Sequence, residues 1–338
     1  MLSPMNRRLA ITWSCAVAAL LLLALADLMA GPMDIGIREI LGAIFFPSGG
    51  NAEAVVMQLR LPRTATAIIA GAALAVSGAQ MQAVFRNPLA DPHIMGVSAG
   101  AGTGAAAVML AGGMHGLAAG LGTAAGAALG ALFISLIIMY VSSMVHSASA
   151  LLITGVMLGF VMSAFTSVLE YQADEARLRM FWNWSAGSFT GNSWTELAIM
   201  AACLMGGLLM ALPCCKGMSI LLFGDDYALA AGADVRKIRV ISMLSCCVMT
   251  GAVTAFCGPV GFVGIVAPHI VRMFTGISEM RTVLPLSMLT GASMGLAGDI
   301  LSQLLPAPVP VGSAVAILGI PLVFLIMVSS SRRDVWSS

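Results

Sequence analysis

Ten apolar runs divide a chain of 338 residues in which only 9% of side chains are charged. Soluble domains carry about a quarter charged residues, whereas a helix of roughly 20 apolar residues spans a hydrocarbon core of about 30 Å. The pattern therefore excludes a soluble domain. It predicts an all-α integral membrane protein, because backbone groups in lipid must be satisfied within the segment that carries them. The runs cover about 9–30, 64–84, 94–110, 117–141, 150–171, 195–212, 240–256, 260–274, 283–305 and 311–328. Glycine, 37 residues in all, suits close helix approach.

Charge and cysteine usage remove further classes. A formal net charge of +1 leaves no basic stripe, so no nucleic-acid partner is expected. The seven cysteines, with the adjacent pairs Cys214-Cys215 and Cys246-Cys247, fall in or beside apolar runs without C-x-x-C or Cys/His spacing. They read as small apolar core residues. His93, His115, His146 and His269 stand apart from one another, so no metal site is predicted.

Arg7 and Arg8 precede a first run too long for a signal-peptide core and without a clear cleavage site before Asp34, so it is read as an uncleaved helix. Ten spans put both termini on one side. The predicted inside segments hold Arg7, Arg8, Arg86, Lys216, Arg236, Lys237, Arg239, Arg281, Arg332 and Arg333, against mainly Arg38, Arg60, Arg63, Arg177 and Arg179 outside. Basic residues favour the cytoplasmic side, which predicts both termini in the cytoplasm. Segment 31–59 is an outside loop with a short helix at 37–45. Segment 172–194 is a second one, holding three of the five tryptophans as interfacial anchors. Segment 217–239 is the longest polar stretch inside.

Segment 59–101 carries the most pattern. Arg60-Leu61-Pro62-Arg63 precedes the second run, and Arg86-Asn87-Pro88 with Asp91-Pro92-His93 forms a polar turn after it. Pro62 lacks an N–H and disfavours helix at Leu61, which predicts a rigid turn between the arginines. The pair reads either as snorkelling anchors at a helix end or as planar forks presented to carboxylates.

The string Arg60, Leu61, Pro62, Arg63, Gly71, Ala72, Leu74, Gly78, Gln82, Asn87, Pro88, Leu89, Ala90, Pro92, Gly96 and Gly100 resembles the signature of the FecCD family. These are membrane permeases of ABC importers for ferric siderophores, haem and cobalamin. Gly258-Pro259 through Pro268-His269 to Arg272 and Gly319-Ile320-Pro321 extend the resemblance. It implies one permease domain over 1–338 with the type II ABC importer fold, about ten transmembrane helices and an inverted repeat. It also implies a second permease subunit, two ATP-binding subunits, a periplasmic or lipid-anchored substrate-binding protein and the inner membrane. ATP and Mg would sit on the partner subunits, with no cofactor on this chain.

The resemblance also assigns roles. Arg60 and Arg63 would dock the binding protein, with Gln303 standing where the family commonly has a third arginine, four residues after Asp299. Gly224, Ala228 and Gly232 match the spacing of the motif that rests on the ATPase; the same coupling segment holds Asp225 and Asp226, suited to a helix N-terminus, and Ala231, where leucine is usual. Ser147, Ala148 and Ser149 would form the cytoplasmic gate, at the start of a helix lining the pathway.

An internal repeat fits this architecture: the Gly71 to Gly78 octad resembles Gly251 to Gly258, and each is followed by Pro-His-Ile, at Pro92 and Pro268. An intramembrane enzyme would need a nucleophile with its base or an H-E-x-x-H, and the chain has neither, nor a G-x-x-x-x-G-K-[ST]. The expected function is import of a metal chelate, a ferric siderophore or haem, with cobalamin import or a secondary transporter as alternatives.

Overall fold

Helix is the only regular structure among the residues that the computed structural model describes, which are 4–46, 49–93, 95–111, 117–144, 148–304 and 309–330. The order is α1 (Pro4–Met29), α2 (Ile37–Phe45), α3 (Asn51–Val55), a π-helical turn (Val56–Arg60), α4 (Leu61–Phe85), α5 (Val97–Ala111), α6 (Leu117–Met144), α7 (Ala148–Gln172) and α8 (Glu175–Ser185). Then come α9 (Trp194–Leu221), α10 (Asp225–Ala230), α11 (Val235–Cys257), α12 (Val263–Thr275), α13 (Met280–Leu304) and α14 (Val311–Ser330). Among the described residues, seven helical stretches are long and apolar enough to cross a membrane: Arg7–Met29, Asn51–Phe85, Gly122–Val141, Ser149–Gln172, Trp194–Leu221, Val235–Cys257 and Met280–Leu304. The other three predicted runs form the shorter apolar helices Val97–Leu110, Val263–Thr275 and Val311–Leu322.

Helix α4 is the axis of the bundle, with 89% of its apolar window buried against 11% for α7. It packs on α13, α11, α12 and α9. Between apolar helices in lipid the hydrophobic effect gives little, so close van der Waals packing and interhelical hydrogen bonds must hold them. Gly71 meets Gly291 so closely that a Cβ on Gly71 would lie 2.2 Å from the Gly291 carbonyl oxygen. About two turns further, a Cβ on Gly78 would lie 2.0 Å from the Gly264 oxygen of α12. A buried polar relay adds to this: Gln80 Nε2 donates to Ser245 Oγ (3.1 Å), whose hydroxyl donates to the Gly207 carbonyl (2.7 Å), joining α4, α11 and α9.

Several boundaries differ from the sequence expectation. The turn predicted at Pro62 is absent: helix is continuous over Asn51–Phe85, and Leu61 has φ −62° and ψ −45°. The π-helical turn supplies the reason. Leu61 N–H bonds the Val56 carbonyl five residues back, and Pro62 then falls in the first turn of α4, where a missing N–H costs little. The loop 172–194 contains α8, capped by Asp174, whose side chain accepts the Arg177 N–H. The polar stretch 217–239 is shorter than predicted, because α9 runs through Pro213 to Leu221 and α11 starts at Val235. The short helix expected at 37–45 is α2.

The repeat is partly mirrored. Helix α4 ends on Arg86 (φ 50°) and α11 on Gly258 (φ 71°), and a short apolar helix follows each. The shared tripeptide differs: Pro92 and His93 lie in the turn before α5, whereas Pro268 and His269 lie inside α12.

Candidate functional site

The ends of α1, α4 and α13 meet in a polar cluster that contains all three residues expected to dock a binding protein. Arg60 is buried and donates to the Leu28 carbonyl (2.8 Å), the Met29 carbonyl (3.2 Å) and the Met33 carbonyl. The first two are orphan acceptors at the C-terminus of α1, where a cation is favoured, and Met33 lies in the loop just beyond it. Arg63 forks onto Asp299, with Nε to Oδ2 at 2.7 Å and Nη2 to Oδ1 at 2.8 Å, and also reaches Ser302 Oγ. Gln303 Nε2 donates to Asp299 Oδ2 (3.0 Å) and Asp27 Oδ1 (3.3 Å), while Thr64 Oγ1 donates to Asp27 Oδ2 (2.6 Å).

The three residues are thus brought together, but inside a network of this chain's own acids and carbonyls. Asp27, 3% exposed, is the member that sequence reading missed. A lone acid near the end of an apolar run was its signal. Asp299, 0% exposed, faces protein.

About 37 Å away along α4, at 1.5 Å per residue, lies the segment expected to meet an ATPase. The spacing Gly224, Ala228, Gly232 has a local physical cause. Gly224 enters α10 at φ 114°, and Gly232 leaves it at φ 77°, two conformations that favour glycine. The exit is a Schellman cap, with Gly232 N–H on the Leu229 carbonyl and Ala233 N–H on the Ala228 carbonyl, both 2.9 Å. Ala228 is fully buried against Leu221 and Val235, so α10 lies flat on the ends of α9 and α11. Asp225 pins it further: Arg239 Nη2 of α11 is 2.7 Å from Oδ2, and Arg86, just after α4, is 3.9 Å away. Asp226, Ala231 and Gly232 are exposed, beside an exposed apolar patch of Phe223, Tyr227 and Leu229.

The turn between α4 and α5 sits above Gly264. A Cβ there would lie 2.4 Å from Asp91 Oδ2, so the glycine makes room for a buried carboxylate. Asp91 Oδ1 accepts the His93 N–H at 2.8 Å, and burial pushes the Asp91 carboxyl up from its ordinary value. Of the gate residues, Ser147 lies outside the described residues, Ala148 begins α7 and Ser149 is exposed. Helix α7 carries an exposed apolar face that includes Ile153, Met157, Phe160, Phe165 and Tyr171. Such a face calls for a partner or lipid.

The sequence model of the FecCD transport family matches residues 19–329. The vitamin B12 import system permease protein BtuC of Shigella boydii is 37% identical over 337 residues, covering 98% of this chain and 99% of that protein. BtuC of Escherichia coli is 36% identical over 336 residues, with the same coverage. Among solved structures, a metal-chelate type ABC transporter in an inward-facing conformation superposes with a TM-score of 0.81 and 27% identity, over 95% of this chain and 99% of that one. PsaBC from Streptococcus pneumoniae shares the fold at a TM-score of 0.53, with 17% identity over 86% of this chain and 94% of that one.

A helical bundle with seven long apolar spans and full-length likeness to these proteins defines a multi-pass membrane permease. The chain belongs to the FecCD transport family and is an ABC importer permease of that family.

Proposed function

We propose that this chain imports cobalamin, the cobalt chelate named for its 36–37% identical full-length relatives, in concert with a second permease copy or close homologue, two ATPases and a substrate-binding protein. The full-length match to vitamin B12 permeases carries the choice of cargo. A ferric siderophore or haem is the second reading, favoured by the structural neighbour described only as a metal-chelate type transporter.

In this reading α10, with Gly224, Asp225, Asp226, Ala228, Ala231 and Gly232, rests on the ATPase, and both termini lie on the same cytoplasmic side. The supporting geometry is the clamp of Asp225 on Arg239 and Arg86, which ties α10 to α11 and to the end of α4. Displacement of α10 by a closing ATPase dimer would move those two helices together and bias an inward/outward equilibrium. The exposed face of α7 lines the pathway against the second copy, with the gate at Ser147, Ala148 and Ser149. The end carrying Arg60, Arg63 and Gln303 receives the binding protein.

A deletion strain assayed with labelled cobalamin, ferric siderophores and haem tests the cargo. Loss of cobalamin uptake alone is expected; loss of an iron chelate with cobalamin uptake intact selects the second reading. Replacing residues 224–235 by a flexible linker should abolish substrate-stimulated ATP hydrolysis, and full stimulation would refute the coupling role.

A further inference from the structure

Two adjoining cavities beside α6, α9 and α11 share the lining residues Ala124, Ala255 and Phe256. The first, about 350 Å³, is a mouth of mixed character, with Trp184, Thr190, Asn192 and Glu196 beside Val108, Met109 and Phe256. The second, about 410 Å³, is an apolar groove whose walls include Ala128, Leu132, Ile199 and Val248. We propose that this space binds one ethanolamine-bearing phospholipid, its headgroup at Glu196 and one acyl chain along α11. The inference needs the chain to cross a bilayer and is independent of the cargo it carries.

Depth is the first argument. The exposed Trp182 and Trp194 each stand two residues before a lining residue of the mouth, Trp184 and Glu196, and tryptophan collects where hydrocarbon gives way to headgroups. Trp194 Nε1 donates to the Met57 carbonyl (3.3 Å), which sets the mouth at the same end of the bundle as Arg60. From Phe256 to Leu244 the groove follows α11 for about 18 Å at 1.5 Å per residue, close to one leaflet's half of a core of roughly 30 Å.

Chemistry is the second. Trp184 Nε1 is buried without a hydrogen-bond partner among the described residues. An indole N–H can only donate, so it asks for an acceptor such as a phosphate or ester oxygen. Glu196 uses Oε2 to accept from Ser193 N–H (2.7 Å) and Ser193 Oγ (2.9 Å). Among the described residues it is the one charged side chain in the lining of either cavity, with no lysine or arginine beside it. That charge favours a primary ammonium and opposes a purely anionic headgroup. A phospholipid with both an ammonium and a phosphate meets both demands, and its tail covers walls that water would not wet. A second copy of the chain has a different landing place, the broad apolar face of α7.

The test uses the assembled transporter in nanodiscs of phosphatidylethanolamine mixed with phosphatidylglycerol, extracted gently and weighed by native mass spectrometry. Phosphatidylethanolamine should be retained on each permease in preference to phosphatidylglycerol. Glu196→Gln, which keeps a helix-capping acceptor, should reduce that preference about tenfold, the scale of one hydrogen bond to a charged group. Ala128→Phe, at an exposed groove position, should strip the lipid while the complex stays assembled. Absence of retained lipid in the parent, equal retention of the two lipids, or undiminished retention in Ala128→Phe each overturns the proposal. So does disulfide capture of a second copy through Ala128→Cys.

Discussion

Arg63 and Asp299, 236 residues apart in the chain, form a two-pronged ion pair at 2.7 and 2.8 Å that joins the start of α4 to the end of α13. The carboxylate is fully buried and the guanidinium side chain is 22% exposed. The family resemblance gives Arg63 an intermolecular role, yet here its fork already holds an acid of its own chain.

Asp299→Asn should therefore destabilise the fold. It removes the charge that Arg63 and Gln303 both address, and breaking a buried pair costs about 3 kcal/mol. A fall in the thermal midpoint of the purified permease is the expected measurement. An unchanged midpoint would mean that Arg63 finds equal stabilisation from water. Charge reversal at Arg63 would set a third acid beside Asp27 and Asp299, so loss of docking in such a variant could not be separated from loss of this corner.

Gln303→Arg should act in the opposite direction. Gln303 touches both buried acids through one amide nitrogen, and a partly exposed arginine there would replace neutral donors with charged ones, worth roughly 1 kcal/mol. The thermal midpoint should rise and the salt dependence of docking should steepen. A lower midpoint would show that the pocket cannot admit the longer side chain.

The bundle's helices were legible because apolar runs of helix length leave few alternatives in lipid, and the family's spacing marked Arg60, Arg63, Gly224 and Gly232. What the arginines hold was not legible. Arg60 meets carbonyls 27 to 32 residues back, and Arg63 meets an acid of a different helix, and no local pattern encodes such distances. Pro62 misled because the helix-breaking rule ignores the π-helical turn before it. Helix α8 was hidden by charged and aromatic residues that look like loop in an otherwise apolar chain, although Asp174 is a clear cap.

Gly71→Ala should separate α4 from α13, since the new Cβ would lie 2.2 Å from a backbone oxygen that cannot swing away. Overpacking of this kind costs about 1–3 kcal/mol. Gly102→Ala is the matched control, with no atom within 4 Å of its added Cβ. Reduced yield of folded permease for the first and an unchanged yield for the second are expected; equal behaviour would show that the helices slide apart freely.

Asp91 gives a pH prediction. Its folded carboxyl is held above its ordinary value by burial, so the stability tied to its proton is complete below the unfolded value and is lost as pH rises through the folded one. Asp91→Asn keeps an oxygen for the His93 N–H and removes that loss. The variant should be more stable than the parent at neutral pH, with the gap closing on acidification. A gap that widens in acid would mean that an ionised Asp91 is favoured in the fold.

Gly232→Val probes the coupling segment through backbone alone. At φ 77° a β-branched residue is strained by about 1–2 kcal/mol, and the Schellman cap that turns the chain from α10 towards α11 would open. The residue is exposed, and nothing lies within 4 Å of a Cβ there, so no core contact is disturbed. The permease should fold and dimerise normally while ATP hydrolysis by its partner subunits loses its response to cargo. Gly232→Asn, which tolerates the left-handed region better, should recover much of that response. If both variants couple as well as the parent, α10 does not transmit the ATPase movement.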